Sequence, residues 1–366
     1  MTPSACRFCR STEGSVVLDL GHQPSSELFP AHADPGPDPT FPLRMWLCAD
    51  CRLAQLADDA DVPEEPVGQE PAALSAQRRA AVDALVAAGA LPANGTVAEF
   101  PSPHGGTWLD LLAEHGLTPA APGTAADVVV DGCFGIMHAA DQLAAFRERA
   151  ESLRPGGTLV LQFHSLEAIL TGAQWNALRL GHYAYYSTPA ILDMLGRVGL
   201  RVTTAHRFPL YGGTVLLTAS RDGAVDPSVE ALCAAELAAG VLRPEVVAGL
   251  QESVRRTATG LREMLERERA LGRRVHGYSA ASRAVALLCL AGVDATLLHG
   301  VADASPAKQG GRMPGTDIPI ISPADLVAAE PDAVLLFVPD LLDEVRAALP
   351  QVEATGGRWI AAGDDR

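Results

Sequence analysis

Asp127-Val128-Val129-Val130 and, further on, Arg154-Pro155-Gly156-Gly157 running into residues 158–163 decide the fold class. Short apolar β-branched runs bounded by turn residues read as buried strands, and residues 141–152 between them read as a helix. Upstream, Thr96-Val97-Ala98-Glu99-Phe100 reads as another strand. It is followed by the loop Pro101-Ser102-Pro103-His104-Gly105-Gly106 and a helix over 107–114. Downstream, residues 200–205 and 214–219 supply two more strands. Strands alternating with helices predict an α/β unit of Rossmann type. From Glu99 to Val128 there is room for one helical crossover only, so the unit is a reduced one.

The other two thirds surround this unit. Cys6-x2-Cys9 and Cys48-x2-Cys51 can each present two thiolates to one ion, and together they predict a closed structural Zn2+ site. Disulfides are the weaker reading in a chain expected to be cytoplasmic. The insert over 22–42 reads as irregular loop, 58–71 as an acidic, proline-rich linker, and 74–90 as a helix. Cys133, Cys233 and Cys289 sit in apolar stretches and read as core. Residues 226–272 carry a helical pattern, with Leu250, Val254, Leu261, Leu265 and Leu271 at near-helical spacing. Then 274–278, 296–298 and 333–337 read as strands and 282–291 as a helix, a second Rossmann-like unit. The expected division is a zinc module and linker (1–72), a reduced α/β domain (73–222), a helical connector (223–272) and a C-terminal Rossmann-like domain (273–366).

Net charge of -16 and 20% charged residues argue against nucleic acid or an anionic membrane as partner. The start of the chain has neither a charged segment nor an apolar core, so it does not read as a signal peptide. The longest apolar run, 284–293, is about half of what a bilayer requires. The expectation is a cytoplasmic protein whose partner is a small molecule.

Gly181-His182-Tyr183-Ala184-Tyr185-Tyr186-Ser187 holds three of the five tyrosines of the chain beside a histidine. Such a patch is either a strand entering a core or a site where polar rings flank a titrating proton. The order of parts bears on the choice. Paired Cys-x2-Cys, "LCADCRLAQL", "LRPGGTLVLQF", "HYAYYS", "YGGTVLL", "GYSAASR" (277–283) and "DASPAKQGGRMPGTDIPIISP" (303–323) resemble the zinc-containing nucleotide-sugar C-methyltransferases over nearly the whole chain.

The resemblance implies enzymes that use S-adenosylmethionine to methylate carbon beside a ketone of a dTDP-linked deoxysugar, with a histidine base in a Tyr-x-Glu-His pattern. His182 matches the base, while Arg179 and Gly181 occupy the Tyr and Glu positions. His138 matches a second family histidine, or is an ordinary helix-start residue. Tyr186 and Ser187 keep the end of the motif, and Tyr186 joins His182 and His138 as an expected catalytic residue. The resemblance further implies substrate contacts by Tyr183, Tyr211, Tyr278, Ser279, Ala280 and Lys308. Arg283 stands at a family lysine, and Val338-Pro339 at a Trp-Asn pair. Gly277 alone would equally suit tight strand–helix packing.

The methyl-donor site departs further. Pro101 replaces the first glycine of the donor loop, and no Asp or Glu between Glu114 and Asp127 can hold a ribose. These losses argue against ordinary S-adenosylmethionine binding. The expectation is a family enzyme that deprotonates carbon beside a ketone with His182 and proceeds to epimerisation, isomerisation or elimination. The alternatives are a genuine S-adenosylmethionine-dependent C-methyltransferase and a non-catalytic subunit that completes a protein partner.

Overall fold

The computed structural model describes residues 5–34, 36–60 and 72–362. Most of the expected linker over 58–71 lies outside the described residues. Among the described residues the chain is α/β and is built on three sheets.

The first sheet is antiparallel, with strands Gly14–Pro24, Thr40–Cys48, Ala54–Leu56 and Ala184–Tyr185. Its hairpin corrects the reading of 22–42 as loop, since pairing continues through His22↔Pro42 to Pro24↔Thr40. Register shifts near residues 16–18 and 19–22 break the period-2 alternation by which a strand is recognised. Only the stretch between the two strands is irregular.

The central sheet runs Leu117–Pro119, Gly95–Glu99, Ala126–Asp131, Leu153–His164, Thr214–Ser220, Arg201–Phe208. The first four strands are parallel, and the last two pair antiparallel. Leu117–Pro119 was not expected. A five-residue helix, Leu109–Ala113, leaves enough chain for this edge strand. Only Leu117 of its three residues is buried, so no alternation announces it.

The third sheet is parallel, in the order Ile320–Ile321, Val301–Ala302, Val275–Tyr278, Ala333–Leu336, Arg358–Ala361. Residues 296–298, expected as a strand, form a turn in which the N–H groups of Leu297 and Leu298 donate to Asp294 O. Both leucines are buried there, and a buried apolar turn reads like a short strand. The paired residues come just after it.

Between the second and third sheets the chain forms helices Pro227–Ala239, Pro244–Val247 and Leu250–Ala270. The last buries Leu250, Val254, Ala258, Leu261 and Leu265, one face at i, i+4 and i, i+3 spacing. That stripe shares one core with Leu18 and Met45 of the first sheet and Leu287 and Phe337 of the C-terminal unit.

The 303–323 string docks these parts together. Arg312, 2% exposed, forms a two-pronged pair with Asp38, both contacts 2.7 Å, and Nε donates to Asp34 O. Gly315 N–H donates to Asp38 as well, and Gly311 bridges Ala31. Asp38→Ala would leave a buried guanidinium with carbonyl acceptors only. We expect a loss of roughly 3 kcal/mol in unfolding free energy by urea titration, the low end for a broken buried pair. A loss below about 1 kcal/mol would mean that water screens the pair.

Candidate active site and zinc centre

The two Cys-x2-Cys turns are built alike. Cys6 N–H donates to Ser11 O and Cys48 N–H to Leu53 O, and the residues after each pair, Arg10 and Arg52, take φ of 67° and 63°. This left-handed step turns the backbone around the sulfurs. Cys6 Sγ lies 3.4 Å from Cys51 Sγ and Cys9 Sγ 3.5 Å from Cys48 Sγ, with all four within 4.8 Å of one another. A tetrahedral Zn2+ at about 2.3 Å from each sulfur separates them by about 3.8 Å, so the set fits zinc. The Cys51 thiol donates to Cys6 and holds its pKa down to about 5, while burial lifts Cys48 to about 11. Zinc would displace the remaining protons. One zinc per chain is expected by elemental analysis. Cys48→Ser should lose it together with the near-UV signal of Trp46, which is buried against this cluster.

The same module places the histidine. Ala54 and Gln55 pair with Tyr185 and Ala184, Leu56 N–H donates to Tyr183 O, and Tyr183 N–H donates to Met137 O. Tyr185 Oη accepts from Arg179 N–H at 3.0 Å and donates to Ala177 O at 3.3 Å. His182 is therefore held from both sides. Its ring centroid lies 4.4 Å from that of His138 and 5.8 Å from that of His104, which is 4.8 Å from His138. The Arg179 guanidinium closes over it, Nη2 lying 2.8 Å from His182 Nε2, while Nη1 bonds the Ser282 hydroxyl. Arg283 follows Ser282 and lies 5.6 Å over the Tyr211 ring, which neighbours Phe134 at 6.1 Å. Tyr211 and Phe134 both have positive φ, 56° and 62°, a cost borne where two loops are forced to meet.

Burial, then Arg179, then the neighbouring histidines hold His182 well below its usual range. His138 is lowered to about 3 by burial, His104 and Arg179, and His164 to about 3 by burial, Arg283 and Arg179. Arg283 itself is lowered to about 10, by burial first and then by Arg179.

Of the expected site residues, His182, His138, Tyr211 and Arg283 belong to this cluster. Tyr186 does not. Its ring packs on Phe163 and Phe146 in the core and its hydroxyl bonds Gln142, which corrects its assignment to proton chemistry. Tyr183 lies under the Arg7 guanidinium at 4.5 Å, on the zinc module. Tyr278 packs edge-on to Trp359 at 5.8 Å on the other face of the C-terminal sheet. Ser279, Ala280 and Lys308 form a separate turn, in which Ala280 N–H donates to Asp303 and Lys308 Nζ to Ala280 O. His104, His164, Arg179 and Ser282 went unrecognised in the sequence. Arg179 is readable there only as a tyrosine lost.

His104, His138 and His182 place ring nitrogens within 4.8 Å of one another, a spacing that could hold a metal. Arg179 argues against a cation there, because two unit charges at 4 Å repel by about 4 kcal/mol at an effective dielectric near 20.

The donor cleft of a Rossmann-type methyltransferase lies over the carboxyl ends of the strands. Here a Cβ at Gly132 would lie 2.2 Å from the indole of Trp108, and one at Gly135 would lie 2.4 Å from Pro101 O. Trp108 is 1% exposed. Glu99, at the end of its strand, accepts from the Thr107 hydroxyl and Trp108 N–H. The neighbouring strand ends in Pro119, with Ala120 and Ala121 next, so no acid faces the cleft from it.

Residues 6–64 match a family profile described as "Putative zinc binding domain", and residues 209–362 match the C-methyltransferase C-terminal domain. C-methyltransferase NovU of Streptomyces niveus is 25% identical over 402 residues, covering 97% of this chain and 94% of that one. The chain belongs to the C-methyltransferase family. Solved structures overlap this family member over less of its length. Magnesium protoporphyrin IX methyltransferase of Synechocystis PCC 6803 is 16% identical with a TM-score of 0.30, over 42% of this chain and 90% of that one. The CcbJ methyltransferase of Streptomyces caelestis is 17% identical with a TM-score of 0.28, over 45% and 94%. Among the described residues no helix is long and apolar enough to cross a membrane.

The histidines also set the acid response. Folded His138 and His164 refuse protons between their usual value of 6.5 and about 3, whereas the unfolded chain takes them up. Stability present above pH 6.5 is therefore lost on acidification, by about 2 kcal/mol for each such histidine at pH 5. Urea unfolding of His164→Asn should show a shallower loss between pH 7.5 and 5 than the parent. An unchanged slope would place the effect elsewhere, for example in thiol protonation.

Proposed function

We propose that this C-methyltransferase-family chain binds a nucleotide-linked keto-sugar and moves a proton at the carbon beside the ketone, without a methyl donor. The observation that carries the reading is a contrast between neighbouring clefts. Trp108 lies against Gly132 and Pro101 against Gly135, just beyond the carboxyl end of the Ala126–Asp131 strand, while His182 and His138 are gathered with ring centroids 4.4 Å apart. Among the described residues the strand ending in Pro119 offers no acid to the ribose of a sulfonium donor with an adenosine tail, and Pro101 stands where a glycine is expected.

A ketone acidifies its neighbouring C–H. The His182 ring, kept neutral by burial and by Arg179, takes that proton, and the C–H electron pair becomes the double bond of an enolate. An imidazolium next to Arg179 is disfavoured, so the proton does not rest there. His138 Nε2 is buried without a hydrogen-bond partner and is the group placed to pass a proton back. Return to the opposite face epimerises the carbon; where that carbon bears a hydroxyl, protonation of the former carbonyl carbon and its oxygen with loss of the hydroxyl proton moves the ketone; and loss of a β substituent with its electron pair completes an elimination.

The test is solvent deuterium uptake by dTDP-linked keto-deoxysugars in D2O, read by mass spectrometry with and without S-adenosylmethionine. Uptake should be independent of the donor and fall at least ~100-fold in His182→Gln. Absence of uptake with every keto-sugar tried would remove the proposal. The alignment with NovU over 97% of the chain favours a second reading, methyl transfer through a rebuilt donor site. Calorimetric binding of S-adenosylhomocysteine together with a methylated product would establish it.

A further inference from the structure

We propose that Arg179 and Arg283 form an oxyanion subsite beside His182, so that the substrate of this base carries a carboxylate or phosphate group next to the reacting carbon. The inference deepens the reading of His182 as a base and rests on it for the identity of the reaction, but the subsite stands on its own contacts.

Among the described residues neither guanidinium closes an ion pair. Arg179 bonds a hydroxyl and an imidazole, and its Nε is buried with no partner. The Arg283 side chain has the Tyr211 ring beneath it, and Asp340 offsets part of its charge from beyond ion-pair distance. Two guanidiniums without an ion-pair partner among the described residues stand close enough to repel. They are surrounded by imidazoles that cannot neutralise them. Such a locus is completed by an anion that accepts from both, and the planar fork of arginine matches the two oxygens of a carboxylate or phosphate.

The contact with His182 points the same way. Arg179 Nη2 occupies the position at His182 Nε2 from which the imidazole would accept a proton. An anion bound between Arg179 and Arg283 would draw that N–H away and free the ring nitrogen. Arg179 thus masks the base, and the charge of its own substrate releases it. Ser282, which holds the other arm of Arg179, starts the helix Ser282–Ala291 that carries Arg283, so both arginines are set by one turn.

The test is calorimetry on the full-length, zinc-loaded chain with malonate and with inorganic pyrophosphate, each up to millimolar concentration. Binding of at least one is expected, weakened tenfold or more in Arg179→Met and again in Arg283→Met, with Arg179→Lys intermediate. Stronger malonate binding assigns the subsite to a carboxylate on the carbon acid, and stronger pyrophosphate binding to the phosphates of a nucleotide. Should a variant fail to retain zinc, the parent protein suffices. The 15N signals of its histidine rings should shift on adding the anion, as Nε2 of His182 loses its guanidinium neighbour. No binding of either anion, or binding unchanged in both methionine variants, overturns the subsite. Anion binding without deuterium uptake would remove the proton chemistry and leave the subsite intact.

Discussion

The pairing of Ala54 and Gln55 with Tyr185 and Ala184 is the constraint on which the site depends. A strand of two residues is not stable alone. It exists because an antiparallel sheet closed by four thiols offers it an open edge, and edges seek partners. That pairing brings the turn carrying Arg179 and His182 against the loop after Ala126–Asp131 and sets the imidazole 4.4 Å from His138. The zinc module therefore fixes the backbone next to His182.

Charge and solvent are arranged around this turn in an unusual balance. Burying an imidazole beside a guanidinium is unfavourable for its protonated form, and two arginines share the cleft. The protein tolerates this because Tyr185, Ser282 and the docked C-terminal sheet hold the groups in place. The result is an imidazole that stays neutral far below the usual histidine range, set beside two guanidiniums.

The 303–323 string, the most family-specific stretch of the sequence, serves packing more than binding. Arg312 and Gly315 clasp Asp38, and Lys308 lies 4.6 Å over Phe29. A short loop that must satisfy a buried guanidinium, accept a bridge from Ala31 and pass close to Pro24 at Gly315 has few alternative sequences. Specificity of sequence here reflects a crowded junction.

Local chemistry determined much of this protein. Matched Cys-x2-Cys spacing carried the zinc centre, β-branched runs such as Asp127-Val128-Val129-Val130 carried the central sheet, and leucines at helical spacing carried the long helix. Those signals are short-range, so the sequence displays them. What it could not display is which side chains meet. Tyr186 and His182 are four positions apart, yet the Tyr186 ring packs among Phe146 and Phe163 in the core while the His182 ring meets His138 and Arg179. Arg179 and Arg283 lie in separate parts of the chain, and only docking of the C-terminal sheet onto the turn makes them neighbours. Trp108 likewise reads as an ordinary helix-start residue until the fold seats it on Gly132. The elements came from local pattern, whereas the seat of Trp108 on Gly132, the histidine cluster at Arg179 and the approach of Ser282 to that arginine came from long-range packing.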